Sequence, residues 1–410
     1  MNQKRLYRTI DKVAAGQYKN EEEMLGTVLN EIILKEETGI TGGRLWVLDK
    51  DNRAYRLLYQ TGQVEKINKD FSIYLKDYPI FELIANERTI LADETNMVLR
   101  KKGIFKYSAS GVGHRIKIDG KPFYEYLLAL NSNNINDELR YTLNIVATVL
   151  SSQLKERRLA QSTLHMREDI DRAKQLQKSI LPEHEYRFHN YDMFGVTVPA
   201  EIVGGDFFDY LKIGDDEERL GIAVGDAASK GLSAAAEAMY VSGALRMAST
   251  FQIKISSILK RMNDLVHKIF SEAKFTTLFY GEISTDRNGL FLYANAGHNP
   301  PIFIKADSGE IEYLMPTGPL LGPAPHSKYE TDNINFSKGD VLVIYTDGIT
   351  EAQDISGVLY EEHRLENIIR EVVHLSPKEI AYSILNDVIH FSKDGVYCDD
   401  KTLVVIKRTY

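Results

Sequence analysis

The chain has almost no cysteine: a single one, Cys398, in 410 residues. One thiol forms no internal disulfide, which excludes a disulfide-stapled scaffold and fits a reducing compartment. Proline is also scarce, at 11, and no low-complexity tract interrupts the chain. Neither sign of charge has a large excess. The 50 Lys and Arg against 58 Asp and Glu leave net −8, which argues against nucleic acid or an anionic membrane as the main partner. No run approaches the ~20 apolar residues of a membrane span. The opening stretch MNQKRLYRTIDKVAAGQYKNEEEM has no apolar core of the kind a signal peptide needs. Histidine and cysteine do not cluster, so a zinc site is not indicated. These absences predict a soluble, cytoplasmic protein.

What is present is enough for ordinary packed cores, with 43% hydrophobic and 10% aromatic residues. At 410 residues the chain exceeds the ~150-residue prior for one domain. After a short N-terminal helical segment, 1–19, residues 20–37 place Met24, Val28, Ile32 and Ile33 on one helical face. GGRLWVLDKDNRAYRLLYQTG alternates apolar and polar residues around Asp49-Lys50-Asp51-Asn52, a β-hairpin pattern. Strand-like runs follow at 114–118 and 123–130, and helical spacing resumes over 137–158. That order predicts an α+β module spanning 20–154.

Residues 155–184 change character. The stretch to Leu181 has no Gly or Pro, and Leu159, Met166, Ile170, Ala173 and Ile180 recur near every 3.5 residues. Polar Thr163 and Gln177 fill two positions of that stripe. Two readings stand: a coiled-coil linker that pairs two chains, or one amphipathic helix packed on its own domain. Pro182 ends it. From 185 to 410, short β-branched runs such as RLGIAVGD and KTLVVIKR alternate with helical stretches at 232–249, 255–272, 361–373 and 377–392.

Four aspartates stand where these strands break into turns: Asp206 in VGGDFFDY, Asp226 in AVGDAASKG, Asp347 in IYTDGIT and Asp399 in YCDDKT. Strands beside all four imply a shared sheet end, where the carboxylates converge. Converged carboxylates repel unless a cation sits among them, and hard oxygen ligands suit Mg²⁺ or Mn²⁺. One Asp-Gly pair is only a turn; four such sites in this order carry more weight.

The motifs IVGGDFFDY, GDAASKGLSAAAEAM, FTTLFYGEI, NAGHNPP, TGPLLG, GDVLVIYTDGITEA and DDKTLVVIKR resemble, in order, those of bacterial PPM (PP2C-like) serine/threonine phosphatases of the SpoIIE/RsbU type. The resemblance covers about 185–408, and LQKSILPE, from Leu176 to Glu183, is similar to that family's entry into the domain. It implies a β-sandwich flanked by helices with two Mn²⁺ or Mg²⁺ ions. Carried over, Asp226 bridges both ions and Ala227 offers its carbonyl oxygen. Asp347 and Asp399 bind one ion, and Asp206 completes the shell of the other. A water activated between the ions attacks phosphorus directly. The resemblance further implies a phosphoserine or phosphothreonine protein substrate, of the STAS-type anti-anti-sigma class. A catalytically weak pseudo-phosphatase that acts as a partner-switching scaffold is the rival.

Departures and lesser candidates complete the reading. Ser229 replaces a glycine of the usual G-D-V-S-G-K-G pattern, and no arginine stands near Glu201 to bind phosphate as in the eukaryotic branch. Asp209 reads as a structural turn residue rather than a ligand. His298 is either a packed turn residue or a proton donor to the leaving group, and Lys230 either surface charge or a phosphate contact. Cys398 is no Cys-x5-Arg nucleophile, because Val404 occupies the arginine position. The N-terminal module resembles a GAF sensor domain in length and element order, with a PAS-like module as rival. Asn86-Glu87 after Phe81 match a cyclic-nucleotide signature only faintly, His114 alone is a poor haem ligand, and Trp46 reads as core. The combined expectation is a homodimer through linker and sensor, with the helix from about Leu232 receiving the signal.

Overall fold

The computed structural model describes residues 10–13, 15–34, 40–69, 71–132, 136–214, 218–270, 274–285, 288–393, 395 and 399–410. Cys398 lies outside these residues. The chain divides into two compact units, Met1–His165 and Met166–Tyr410.

The N-terminal unit is built on one antiparallel sheet. Its strands are β1 (Ile40–Asp49), β2 (Ala54–Gly62), β3 (Ser72–Tyr74), β4 (Thr89–Asp93), β5 (Lys106–Ile118) and β6 (Lys121–Ser132), in the order β3-β2-β1-β6-β5-β4. The hairpin turn falls where the alternation stops, and the Asp49 carboxylate accepts the Asn52 backbone N–H at 3.0 Å, an Asx turn. Strand β5 begins eight residues before the run visible in the sequence. The reason is chemical: its first half contains Ser108 and Ser110, both fully buried. The Ser108 hydroxyl donates to Ile90 O at 2.8 Å, and Ser110 shares a 2.7 Å bond with Thr89. Small hydroxyl residues do not look apolar, yet they bury without penalty once bonded.

Alternation gives the sheet two apolar faces. One packs on helix α1 (Glu21–Leu34) and the first turns of α4 (Asp137–Ile180), through Val28, Leu29, Leu143, Val146 and Leu150. The other packs on α2 (Ile80–Glu87) and the short α3 (Met97–Arg100) through Trp46, Phe81 and Leu127. Helix α4 runs unbroken for 44 residues. Leu154 is its last buried residue, and 161–169 are exposed all round.

The C-terminal unit is a β-sandwich flanked by helices. One sheet has the order β15-β12-β11-β10-β9, from Asp332–Asn335, Leu290–Ala296, Thr276–Ser284, Arg219–Ala227 and Asp206–Ile213. The other runs β14-β13-β16-β17-β8-β7, from Ile311–Tyr313, Ile302–Ile304, Val341–Tyr345, Lys401–Arg408, Tyr191–Val198 and Glu185–Phe188. Between them lies an aromatic core including Phe208, Phe279, Phe291, Phe303 and Phe336. Helices α5 (Gly231–Ser249) and α6 (Ile255–Ile269) cover the outer face of the first sheet. After the one-turn α7 (Asp347–Thr350), helices α8 (Glu361–Val372) and α9 (Pro377–Phe391) cover the second. Fully burying a large apolar side chain contributes ~1.5–3 kcal/mol, so three such layers hold the sheet ends firmly in place.

Candidate metal centre

The aspartates sit at the ends of four strands drawn from both sheets. Asp206 opens β9 and Asp226 lies directly opposite it on β10. Asp347 opens α7, straight after β16, and Asp399 precedes β17 by two residues. Two of them are therefore ladder residues, where the sequence reading had turns: Asp226 is still paired within its strand, because the glycine before it permits β continuation as readily as a turn.

Like charges directly across a ladder are unfavourable, and the electrostatics record it. Asp206 is buried and pushed well above the usual aspartate range, first by desolvation and then by Asp226. Asp226 is pushed up to about 7 by desolvation and by Asp347 and Asp399. Asp347 rises to about 6 through desolvation and then the Asp399 charge. Asp226 thus stands at the centre of the group, acting on Asp206 and acted on by Asp347 and Asp399. Among the described residues no three acidic, histidine or cysteine side chains form a ready-made metal cluster. Asp206, Asp226 and Asp347 are instead pushed towards the protonated form, and a cation would displace those protons.

The backbone around them is shaped for close approach. A Cβ on Gly348 would lie 1.9 Å from Asp400 O, and one on Gly204 2.2 Å from the Asp400 carboxylate. A Cβ on Gly205 would lie 2.8 Å from Ala227 O. Only glycine fits these three positions, which brings Ala227 O, Asp206 and Asp400 into one cradle. The donor set is hard oxygen throughout, and it suits Mg²⁺ or Mn²⁺.

Several supporting residues were not legible in the sequence. Asp400, second of the DD pair, accepts Ala200 N–H and Gly205 N–H at 2.6 Å each and so clamps the loop that carries Asp206. Thr346 donates its hydroxyl to Asp206 at 2.7 Å. Gln177 does not fill an apolar seam: its amide exchanges two bonds with the Gly204 backbone, at 2.7 and 3.2 Å. The doubled aspartate was the one available signal for Asp400.

The remaining candidates also find places. Ser229 donates to Glu237 at 2.8 Å, and Lys274 pairs with the same buried carboxylate. The serine therefore ties the Asp226 loop to α5. Asp209 is a buried mid-strand residue of β9, not a turn, held by Arg246, which also donates to Ile180 O at 2.6 Å. His298 is fully enclosed, with Nδ1 2.8 Å from the Thr277 hydroxyl, and desolvation lowers it to about 4. Of the two readings of His298, this burial favours the packed turn residue. Exposed Lys230 stands 3.5 Å from the Asp399 carboxylate. In the N-terminal unit Trp46 is core, while Asn86, Glu87 and His114 are exposed.

Comparison with known proteins agrees with this geometry. Residues 216–409 match the family model for stage II sporulation protein E, SpoIIE. The chain is 28% identical over 243 residues to the phosphoserine phosphatase RsbU of Bacillus subtilis, covering 59% of this chain and 71% of that one. It is 26% identical over 321 residues to protein IcfG of Synechocystis, covering 69% of this chain but about half, 48%, of that protein. Among solved structures, the SiaA-PP2C domain of Pseudomonas aeruginosa superposes with TM-score 0.52 at 19% identity, over 60% of this chain and 99% of that one. That last likeness is one of fold alone.

Proposed function

We propose that the C-terminal unit, whose residues 216–409 match the SpoIIE family model, is a phosphatase domain of that family and that this protein is a metal-dependent protein serine/threonine phosphatase. The observation that carries the reading is the set of aspartates at the sheet ends, three of them pushed above the ordinary range, beside positions that only glycine fits. RsbU, which resembles this chain, is named a phosphoserine phosphatase, and that supports phosphoserine or phosphothreonine in a protein as substrate. A STAS-type anti-anti-sigma regulator remains the specific substrate proposed.

In this reading Asp226, with Ala227 O beside it, and Asp206, Asp347 and Asp399 would hold two Mn²⁺ or Mg²⁺ ions, Asp226 being the ligand shared by both. Bound ions supply Lewis acidity to the phosphoryl oxygens and to a water, so no covalent enzyme intermediate is needed. The chain's own residues do the rest. Thr346 fixes the orientation of Asp206, Asp400 holds its loop, and Ser229 with Glu237 and Lys274 anchors the loop of Asp226. Lys230 beside Asp399 places a cation where a phosphate arrives. Manganese-dependent hydrolysis of p-nitrophenyl phosphate that vanishes in Asp347→Asn supports the enzyme. A wild-type chain that binds manganese without turnover favours the scaffold.

Regulation is assigned to the GAF-like N-terminal unit acting through α4. The exposed stripe Leu159 and Met166, 66% and 67% exposed, supports pairing with α4 of a second chain, since a helix exposed all round gains little alone. Helix α5, which begins just after the Asp226 loop, is the receiving element. Met166→Glu with Ile170→Glu is expected to raise the dimer dissociation constant at least about tenfold, because each seam residue buries ~1.5–3 kcal/mol. Light scattering reads this out, and a double variant that stays dimeric makes α4 a passive spacer.

A further inference from the structure

The sheet of the N-terminal unit buries a charge that nothing in the phosphatase reading uses. Alternation along β1, β6 and β5 puts Arg44, Trp46, Leu127, Ala129, Asn131 and Tyr107 on the face toward α2 and α3. A cavity opens against that face, lined mainly by Trp46, Phe81, Leu127 and Ala129, with Arg44 and Asn131 among its few polar neighbours. About 40 Å³ of it is open to the centre of a water-sized sphere, where one water needs ~10–15 Å³. It therefore suits a solute of a few heavy atoms, and excludes a nucleotide or a haem.

Arg44 is the anomaly. It is 2% exposed. One terminal nitrogen donates to Asn131 Oδ1 at 3.3 Å and the other to Glu65 O at 2.9 Å. Its Nε is buried with no partner, and among the described residues no carboxylate forms an ion pair with it. The Glu65 charge acts on it only at a distance, its backbone oxygen taking the bond. The cavity's other polar groups are committed elsewhere: the Tyr78 and Tyr107 hydroxyls bond each other at 2.7 Å and both reach Glu94. A guanidinium carries five N–H donors in a fork that matches a carboxylate. A single cation balances a monoanion but not a phosphate dianion, and the remaining walls call for hydrocarbon.

We propose that this cavity binds a short aliphatic monocarboxylate of about three to five carbons, its carboxylate on the Arg44 guanidinium and its tail against Trp46, Phe81 and Leu127. The site is independent of the phosphatase reading, because binding is measured directly on the full chain without turnover. Calorimetric titration with propionate and isobutyrate is expected to show saturable binding, with isobutyramide at least about tenfold weaker for want of the charge-assisted bond. Arg44→Met removes the anchor and Ala129→Leu fills the cavity while keeping Arg44; both are expected to abolish binding. Circular dichroism checks the fold of each, and if Arg44→Met does not fold, Ala129→Leu alone decides. Absence of saturable binding by either acid, equal binding of the amide, or wild-type affinity in the folded variants overturns the proposal.

Discussion

The two units handle buried charge in opposite ways. The C-terminal unit gathers four anionic groups at its sheet ends; among the described residues no cation is bonded to Asp206, Asp226 or Asp347, and these three are pushed towards the protonated form. Among the described residues the N-terminal unit buries Arg44 with no carboxylate bonded to it, and guanidinium keeps its proton at any ordinary pH. Elsewhere the same protein pairs its partly buried charges: Arg158 with Glu21 and Glu125, Arg246 with Asp209, Lys274 with Glu237. In the proposed readings the missing counter-charge is a ligand, a divalent cation in one unit and a small carboxylate in the other.

The strongest test of the anionic half is Asp226→Asn. Removing the shared ligand forfeits several kcal/mol of charge stabilisation, so phosphatase activity is expected to fall about 10³-fold or more. Gly348→Ala attacks the same centre through the backbone. Its new Cβ would sit 1.9 Å from Asp400 O, and chemical denaturation should record a loss of about 3 kcal/mol confined to the C-terminal unit.

Titration then separates the two units. Asp226 and Asp347 have folded values near 7 and 6, raised above the ordinary aspartate range. The native state therefore binds more protons than the unfolded one, and metal-free stability falls as pH rises from about 4 to about 7. His298, lowered to about 4, opposes this with a single proton. In the N-terminal unit Glu21 is lowered by Arg158, so its contribution is constant above the ordinary glutamate range and is lost only in more acid solution. In chelator, calorimetric scans should show the C-terminal transition dropping by up to ~1.4 kcal/mol per pH unit for each net proton while the N-terminal one holds steady. Manganese should flatten the C-terminal slope. Equal slopes for both units, or a C-terminal transition that rises with pH, would break the contrast. The smallest effect is expected from Ser229→Ala, about 1 kcal/mol in stability for the lost bond to Glu237, with activity within a few-fold of wild type.

Much of this was legible in the sequence where a residue's type alone decides its place. The β-branched runs mark β10, β16 and β17, and the Asp347-Gly348 pair marks the break after β16. What escaped is what depends on partners. Asp400 looks like a neighbour of Asp399, and only its bonds to Ala200 and Gly205 reveal the clamp. Gln177 falls on a seam by spacing, yet its amide serves the Gly204 backbone. Arg44 sits in an alternating strand where a polar residue reads as solvent-facing, until β6 places the face under α2. Hydrophobic period reports burial of apolar groups, and is silent about polar groups that bury with their bonds satisfied.

The central claim is that the carboxylates at the sandwich's sheet ends form a two-cation centre bridged by Asp226. Calorimetric titration of the full chain with manganese, wild type against Asp226→Ala, tests it most directly. The account predicts two ions bound per chain in the wild type and loss of affinity for both in the variant. Unchanged manganese binding in Asp226→Ala would contradict it.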